Sequence, residues 1–174
     1  MGTLHITELP PLPKREPDSH KGTYGRILLV AGSPAMPGAA VLAARAALRS
    51  GAGLVTVAFA GSLTAPFTAA VPEAIQFPLP EPGAPEHDAE IDHLIGDDFR
   101  ERFDAIGIGP GLGTSTASRK VLARVLEVYD GPQVLDADAL HLVAEGLPAP
   151  PSEKRIWTPP VSYTHLTLPP SDLV

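Results

Sequence analysis

Two carboxylates stand close together in Leu135-Asp136-Ala137-Asp138-Ala139-Leu140, after a short apolar run and at the head of a helical pattern. Carboxylates so placed can cap the helix and complement its dipole. They can equally face a cleft and orient a hydroxyl or a Mg²⁺-bound phosphate. A second stretch, Gly107-Ile108-Gly109-Pro110-Gly111-Leu112-Gly113-Thr114-Ser115-Thr116, carries a glycine at every second position as a strand gives way to a helix. Glycine lets backbone approach a ligand, at a loss of roughly 0.5–1 kcal/mol relative to Ala in a regular element. Gly109, Gly111 and Gly113 are the candidates for such an approach, and a flexible turn is the plainer use of the same residues. A third stretch runs Gly32-Ser33-Pro34-Ala35-Met36-Pro37-Gly38-Ala39-Ala40. Gly38, Ala39 and Ala40 would open a helix with nearly bare N–H groups, a setting that binds phosphate or admits a flat ring. A tight turn followed by good helix formers is again the simpler alternative.

Other chemistries find no support. No Gly-Lys-Ser/Thr follows the glycines, so there is no P-loop, and the third glycine is wrongly spaced for G-x-G-x-x-G. No G-x-S-x-G is present to build a nucleophile elbow. The histidines, His5, His20, His87, His93, His141 and His165, are scattered and show no H-x-x-x-H metal spacing.

The elements that must position these stretches alternate. Ile27–Val30 is a β-rich apolar run stopped by Ala31-Gly32, as in a strand buried on both faces. A helix is expected over 39–50, with Val41, Leu42 and Ala46 on its apolar face and Arg45 and Arg49 at its edge. Strands follow at 54–59 and 74–79, with a weaker helix at 62–71 between them. A Pro- and acid-rich loop spans 80–90, then a short acidic helix 91–102 and a strand 104–108. The clearest helix is 116–130: Leu122, Val125, Leu126 and Tyr129 fall at i, i+3, i+4 and i+7, with Ser115 or Thr116 as cap. Val134-Leu135 reads as a strand, 137–144 as a helix, and Ile156-Trp157 begins a further strand. This alternation predicts an α/β fold: a doubly wound, mostly parallel sheet with helices on both faces.

Composition narrows the function classes. The 174 residues suffice for one domain, and 44% hydrophobic residues make it globular. The formal net charge of −7, with no basic block, argues against nucleic acid and anionic membrane as partners. With no cysteine, disulfides and thiolate metal sites are excluded, and a reducing cytoplasm is the expected location. Met1 to Pro17 carry no apolar h-region, so no signal peptide is expected. Ile6 stands where a myristoylation signal needs Ser or Thr.

Five segments in order resemble the ADP/ATP-dependent NAD(P)H-hydrate dehydratases of the ribokinase-like superfamily. They are Ser19-His20-Lys21-Gly22-Thr23-Tyr24-Gly25 with Ala31-Gly32-Ser33 and Gly38-Ala39-Ala40; Arg49-Ser50-Gly51-Ala52-Gly53-Leu54-Val55-Thr56-Val57; Val71-Pro72-Glu73-Ala74; the glycine stretch from Gly107 to Gly113; and Leu135 to Leu140. The resemblance covers about Ser19 to Thr158. It implies a ribokinase-like fold and a repair reaction. NADHX or NADPHX, hydrated on the nicotinamide ring, would return to NAD(P)H with ADP or ATP as phosphoryl donor and Mg²⁺ alongside. Gly38, Ala39, Ala40, Gly109, Gly111, Gly113, Asp136 and Asp138 would line the substrate site. The implied partners are small-molecule nucleotides, and the full-length parent would be a homo-oligomer.

The resemblance breaks after Arg155-Ile156-Trp157-Thr158-Pro159. Pro160 stands where the family has a substrate-contacting His in His-Pro-Gly-Glu. The later nucleotide-binding Lys segment and the Gly-Gly-x-Gly-Asp element, which carries the catalytic Asp, are absent. The string Val161-Ser162-Tyr163-Thr164-His165-Leu166-Thr167-Leu168-Pro169 resembles translated sequencing adaptor. The expected division is a leader 1–18, the N-terminal part of the dehydratase domain 19–158, incomplete as a sheet, and a non-native tail 159–174. Three alternatives stand at this point: an inactive fragment, a small-molecule kinase of the same superfamily, and a non-catalytic dinucleotide-binding module.

Overall fold

Apolar runs without alternation suit strands covered on both sides, and each such run here forms one. The structure is a computed structural model that describes residues 14–81, 84, 87–96, 98–150 and 152–163. Its strands are β1 (Arg26–Val30), β2 (Leu54–Ala60), β3 (Ile75–Leu79), β4 (Ala105–Ile108), β5 (Gln133–Leu135) and β6 (Arg155–Trp157). Its helices are α1 (Pro37–Arg49), α2 (Thr64–Ala70), α3 (His87–Leu94), α4 (Phe99–Arg102), α5 (Thr116–Val128) and α6 (Asp138–Ala144). The strands form one sheet in the order β3-β2-β1-β4-β5-β6, and each pairing is parallel. The doubly wound α/β architecture read from the sequence is the one observed.

The strand order explains the layers. From β1 to β3 the chain steps one way across the sheet; from β4 to β6 it steps the other way. A fixed crossover hand then puts the two sets of helices on opposite faces. The cores agree. Leu29, Ala31, Val55, Val57 and Phe59 pack with α1 and α2, while Leu28, Val30, Ile106, Ile108 and Leu135 pack with α3 to α6. Successive residues of β1 thus serve opposite cores, as the pleat requires.

Helix α5 follows its sequence pattern: Leu122, Val125, Leu126 and Tyr129 are all buried. Ser115 is the cap, its Oγ accepting from the Ser118 N–H at 3.1 Å. Two helices depart from expectation. α1 starts at Pro37, whose fixed φ suits the first helical position. Its buried stripe is Ala40 and Ala44, whereas Leu42 is 70% exposed. Small residues face inward because the helix sits so close to the β1 exit: a Cβ on Gly32 would lie 2.8 Å from that of Ala40. The acidic helix expected over 91–102 is two helices, α3 and α4, with Gly96 in the break. The break lets Ile91, Ile95, Phe99 and Phe103 all reach one core, and glycine is a poor helix former.

The end of the leader is docked. Arg15 donates to the Gly51 carbonyl at 3.0 Å and lies over the Tyr24 ring at 4.4 Å. The other leader positions, 1–13, fall outside the described residues, as does most of the tail. Among the described residues no helix is long and apolar enough to cross a membrane.

One half-face of the sheet stays open. α3 to α6 cover one side, but α1 and α2 cover the other only over β1 to β3. Beyond them Val134 is 38% and Ile156 61% exposed. A groove of about 370 Å³ lies there, walled by Leu29, Ala43, Ala47, Gly107, Asp136 and Thr158.

Candidate functional site

Where strand order reverses, the chain leaving one strand turns to one face and the chain leaving its neighbour to the other. Ligands of open α/β sheets bind in the crevice this creates. Here the reversal lies between β1 and β4, and the three stretches singled out in the sequence meet around it.

The exits of the strands are stitched together by backbone bonds. The Gly32 N–H donates to the Pro110 carbonyl at 2.9 Å, and the Gly109 N–H to the Val30 carbonyl at 3.1 Å. The Asp136 N–H donates to the Ile108 carbonyl at 3.1 Å, and the Thr158 N–H to the Leu135 carbonyl at 3.2 Å. Glycine is required at two of these joints. Gly109 has φ 126°, and a Cβ there would fall 1.9 Å from the Asp136 carbonyl oxygen. Gly111 has φ 62°, and its Cβ would fall 2.7 Å from that of Ala39 and 3.0 Å from that of Met36. The glycine turn therefore rests flush against the start of α1 on one side and the β5–α6 junction on the other.

Each candidate residue has a distinct place. Gly38 is exposed, and a Cβ on it would meet nothing within 4 Å. Ala39 is half-buried against Gly111, and Ala40 is fully buried beneath Gly32. Asp136 accepts from the Thr158 hydroxyl, Oγ1 to Oδ1, at 2.8 Å. Asp138 accepts the Gly113 N–H on Oδ2 at 2.7 Å. Neither carboxylate caps α6: its N-cap is Ala137, with no side-chain bond. Residues 38–40, 109–113 and 136–138 thus share one rim of the sheet.

Sequence reasoning missed two supports. Thr158 is placed beside Asp136 because β6 pairs with β5, which no local pattern reveals. Ser118, buried, donates to the Leu112 carbonyl at 3.0 Å and bonds Ser115 Oγ at 2.9 Å. The Ser115-x-x-Ser118 spacing at the head of α5 was the available signal. Beyond the rim, the Tyr163 ring meets the His141 ring of α6 at 4.5 Å.

A family profile described as NAD(P)H-hydrate dehydratase matches residues 27–166. The ADP-dependent (S)-NAD(P)H-hydrate dehydratase of Lactiplantibacillus plantarum is 40% identical over 148 residues, covering 84% of this chain and 49% of that one. Its counterpart from Listeria monocytogenes is 37% identical, covering 85% of this chain and 50% of its own. Among solved structures, a ribokinase-like superfamily protein from Enterococcus faecalis superposes with a TM-score of 0.70 at 30% identity, over 84% of this chain and 49% of that one. An ADP/ATP-dependent NAD(P)H-hydrate dehydratase from Bacillus subtilis, co-crystallized with ATP/Mg²⁺, gives 0.61 at 34%, over 84% and 46%. The chain spans about half the length of these relatives. The ribokinase-like fold expected from the motifs is the fold these structures share, and the chain belongs to the NAD(P)H-hydrate dehydratase family.

Proposed function

We propose that this rim binds NAD(P)H hydrated on its nicotinamide ring, for an ADP-dependent dehydration that restores NAD(P)H. ADP or ATP is the phosphoryl donor, and Mg²⁺ accompanies its phosphates. The observation that carries the reading is the interlock of the α1 start, the glycine turn and the β5–α6 junction at the point of strand reversal. At the exposed head of α1 the first-turn N–H of Gly38 lacks an intrahelical acceptor and is available to a pyrophosphate or hydroxyl; Ala39, whose N–H donates to the Met36 carbonyl at 3.3 Å, and buried Ala40 contribute by their small size. Gly109 and Gly111 let the turn close onto the β5–α6 junction and the α1 start, and at Gly113, where a Cβ would meet only Ser118 Oγ at 3.9 Å, the bare backbone of the turn is offered to the ligand. Asp136 and Asp138 form the acidic end of the rim.

Hydroxide is a poor leaving group, and the bound nucleotide supplies the phosphoryl group that makes it a better one. The contribution of this chain is to hold the ring and the donor in one geometry. Mg²⁺ carried by phosphates needs only one or two protein carboxylates, and Asp136 can supply one. Among the described residues there is no cluster of three or more candidate ligands, so such an ion would be held mainly by phosphate and water. Turnover we assign to the full-length form, since this chain spans half the relatives' length. We place that form in the cytoplasm as a homo-oligomer, with exposed Leu42 as one apolar side chain offered to the assembly. Residues 159–174 we read as a foreign tail; the genomic sequence past the Thr158 codon checks that boundary.

Gly38 provides the test. Its open surroundings leave room for Leu, which in a helix is preferred over Gly by up to about 1 kcal/mol. The Gly38→Leu chain should therefore be at least as stable as the wild type. The same side chain occupies the space a ligand would take. Calorimetry with ADP and with hydrated NADH should show affinity falling by about tenfold or more, or 1.4 kcal/mol. Equal affinities in the two chains would remove this rim as the binding site.

A further inference from the structure

Among the side-chain bonds described at the rim, the one made by Asp138 spans the greatest distance along the chain. Its Oδ2 accepts the N–H of Gly113, 25 residues away, at 2.7 Å. The rest of the glycine turn is held by other means. Gly109 lies flush on the Asp136 carbonyl, Gly111 abuts Ala39 and Met36, and the Leu112 carbonyl is bonded by Ser118. Gly113, with φ 78°, is the last residue of the turn so held, and of these supports only the one from Asp138 carries a charge.

The backbone before Asp138 is bent to make this bond. Ala137 has φ 48° and ψ −116°, and the Ala139 N–H closes a turn onto the Asp136 carbonyl at 3.1 Å. This is the first central position of a type II′ turn, where glycine is the usual residue. The junction also forgoes the side-chain cap that Asp136 could have given α6. In return the two carboxylates diverge, Asp136 to Thr158 and Asp138 to Gly113.

We infer that Asp138 is a positioning residue: it ties the end of the glycine turn to the β5–α6 junction and so sets the wall that faces the α1 start. It acts on the ligand through Gly113 and the turn. Its effect on binding rests on the function proposed above; the tie itself does not. The competing account is a carboxylate that merely complements the α6 dipole. The two differ in what Asn does: Asn has no charge for the dipole, but its Oδ1 can still accept from Gly113.

The experiment is amide hydrogen exchange by NMR on the full chain, paired with calorimetry using hydrated NADH. In the wild type the Gly113 N–H should be protected although it lies in a turn. Asp138→Ala should speed its exchange by about tenfold or more, while Val125 in the middle of α5 stays protected and reports an intact fold. Asp138→Asn should keep Gly113 exchange within about threefold of wild type, whereas Asp138→Ala, which also frees the turn, lowers affinity about tenfold. An unprotected Gly113 in the wild type overturns the inference without need of any variant. So does an Asn variant as defective as the Ala variant. If the wild-type chain binds no hydrated NADH, the site reading fails, and the Gly113 exchange pattern still decides whether the tie exists.

Discussion

At Ala137 an L-residue occupies a conformation that glycine adopts freely, with φ 48° in a tight turn. Such backbone costs on the order of 1–3 kcal/mol and persists only where surroundings hold it. Ala137→Gly relieves it, against the greater freedom of glycine in the unfolded chain. The expected net result is a gain of up to about 1 kcal/mol, visible as a higher urea midpoint with an unchanged slope; a clear loss would mean that the bent junction is not strained. This residue was not legible in the sequence. Asp136-Ala137-Asp138 reads locally as a capped helix start, and only the reach from Asp138 to Gly113 accounts for the bend. The glycines were legible, because a glycine at every second position through a strand exit has few structural uses. Which neighbour each one touches required the fold.

Between elements, the Arg26–Asp104 pair fixes the entry ends of β1 and β4, the two strands that diverge at the site. The Arg26 N–H donates to Asp104 Oδ2 at 2.7 Å, and the guanidinium reaches the same carboxylate at 3.3 Å. The bond from the Arg26 side chain, then that from its backbone N–H, holds the Asp104 carboxyl below its usual range. A carboxylate lowered in this way stabilises the fold at pH values above its unfolded pKa of about 3.9, and the contribution disappears as pH falls through the lower folded value. Asp104→Asn should accordingly lower the melting temperature slightly at pH 7, and the difference should shrink as pH falls through the lowered folded value. A gap that stayed constant across that range would assign the effect to packing. The pair itself was invisible to local pattern, since 78 residues separate its members. At the same scale, α5 was fully legible because its apolar stripe faces one core. The stripe of α1 was not, because close approach to β1 selects alanines and leaves the larger Leu42 outside.

For the whole molecule, the alternation of apolar runs and helical patterns gave the layers, whereas the half-open face follows from strand order alone. Parallel strands are ordinarily covered on both sides, yet Val134 and Ile156 face outward beside the groove. The chain should bind a hydrophobic dye strongly. Replacing both residues with Ser should reduce dye fluorescence and self-association while shifting stability by only about 0.5 kcal/mol, as for surface positions. Unchanged fluorescence would locate the sticky surface elsewhere.

The two rims of the sheet are not equivalent. On β3, Pro78 sits within the strand and has no N–H to give, a substitution that natural sheets use to discourage an incoming neighbour. On β6 no proline interrupts Arg155-Ile156-Trp157. Lateral growth of this sheet is thus one-sided: a further strand meets a proline-free backbone beside Ile156 and Trp157 and a blocked ladder beside Pro78.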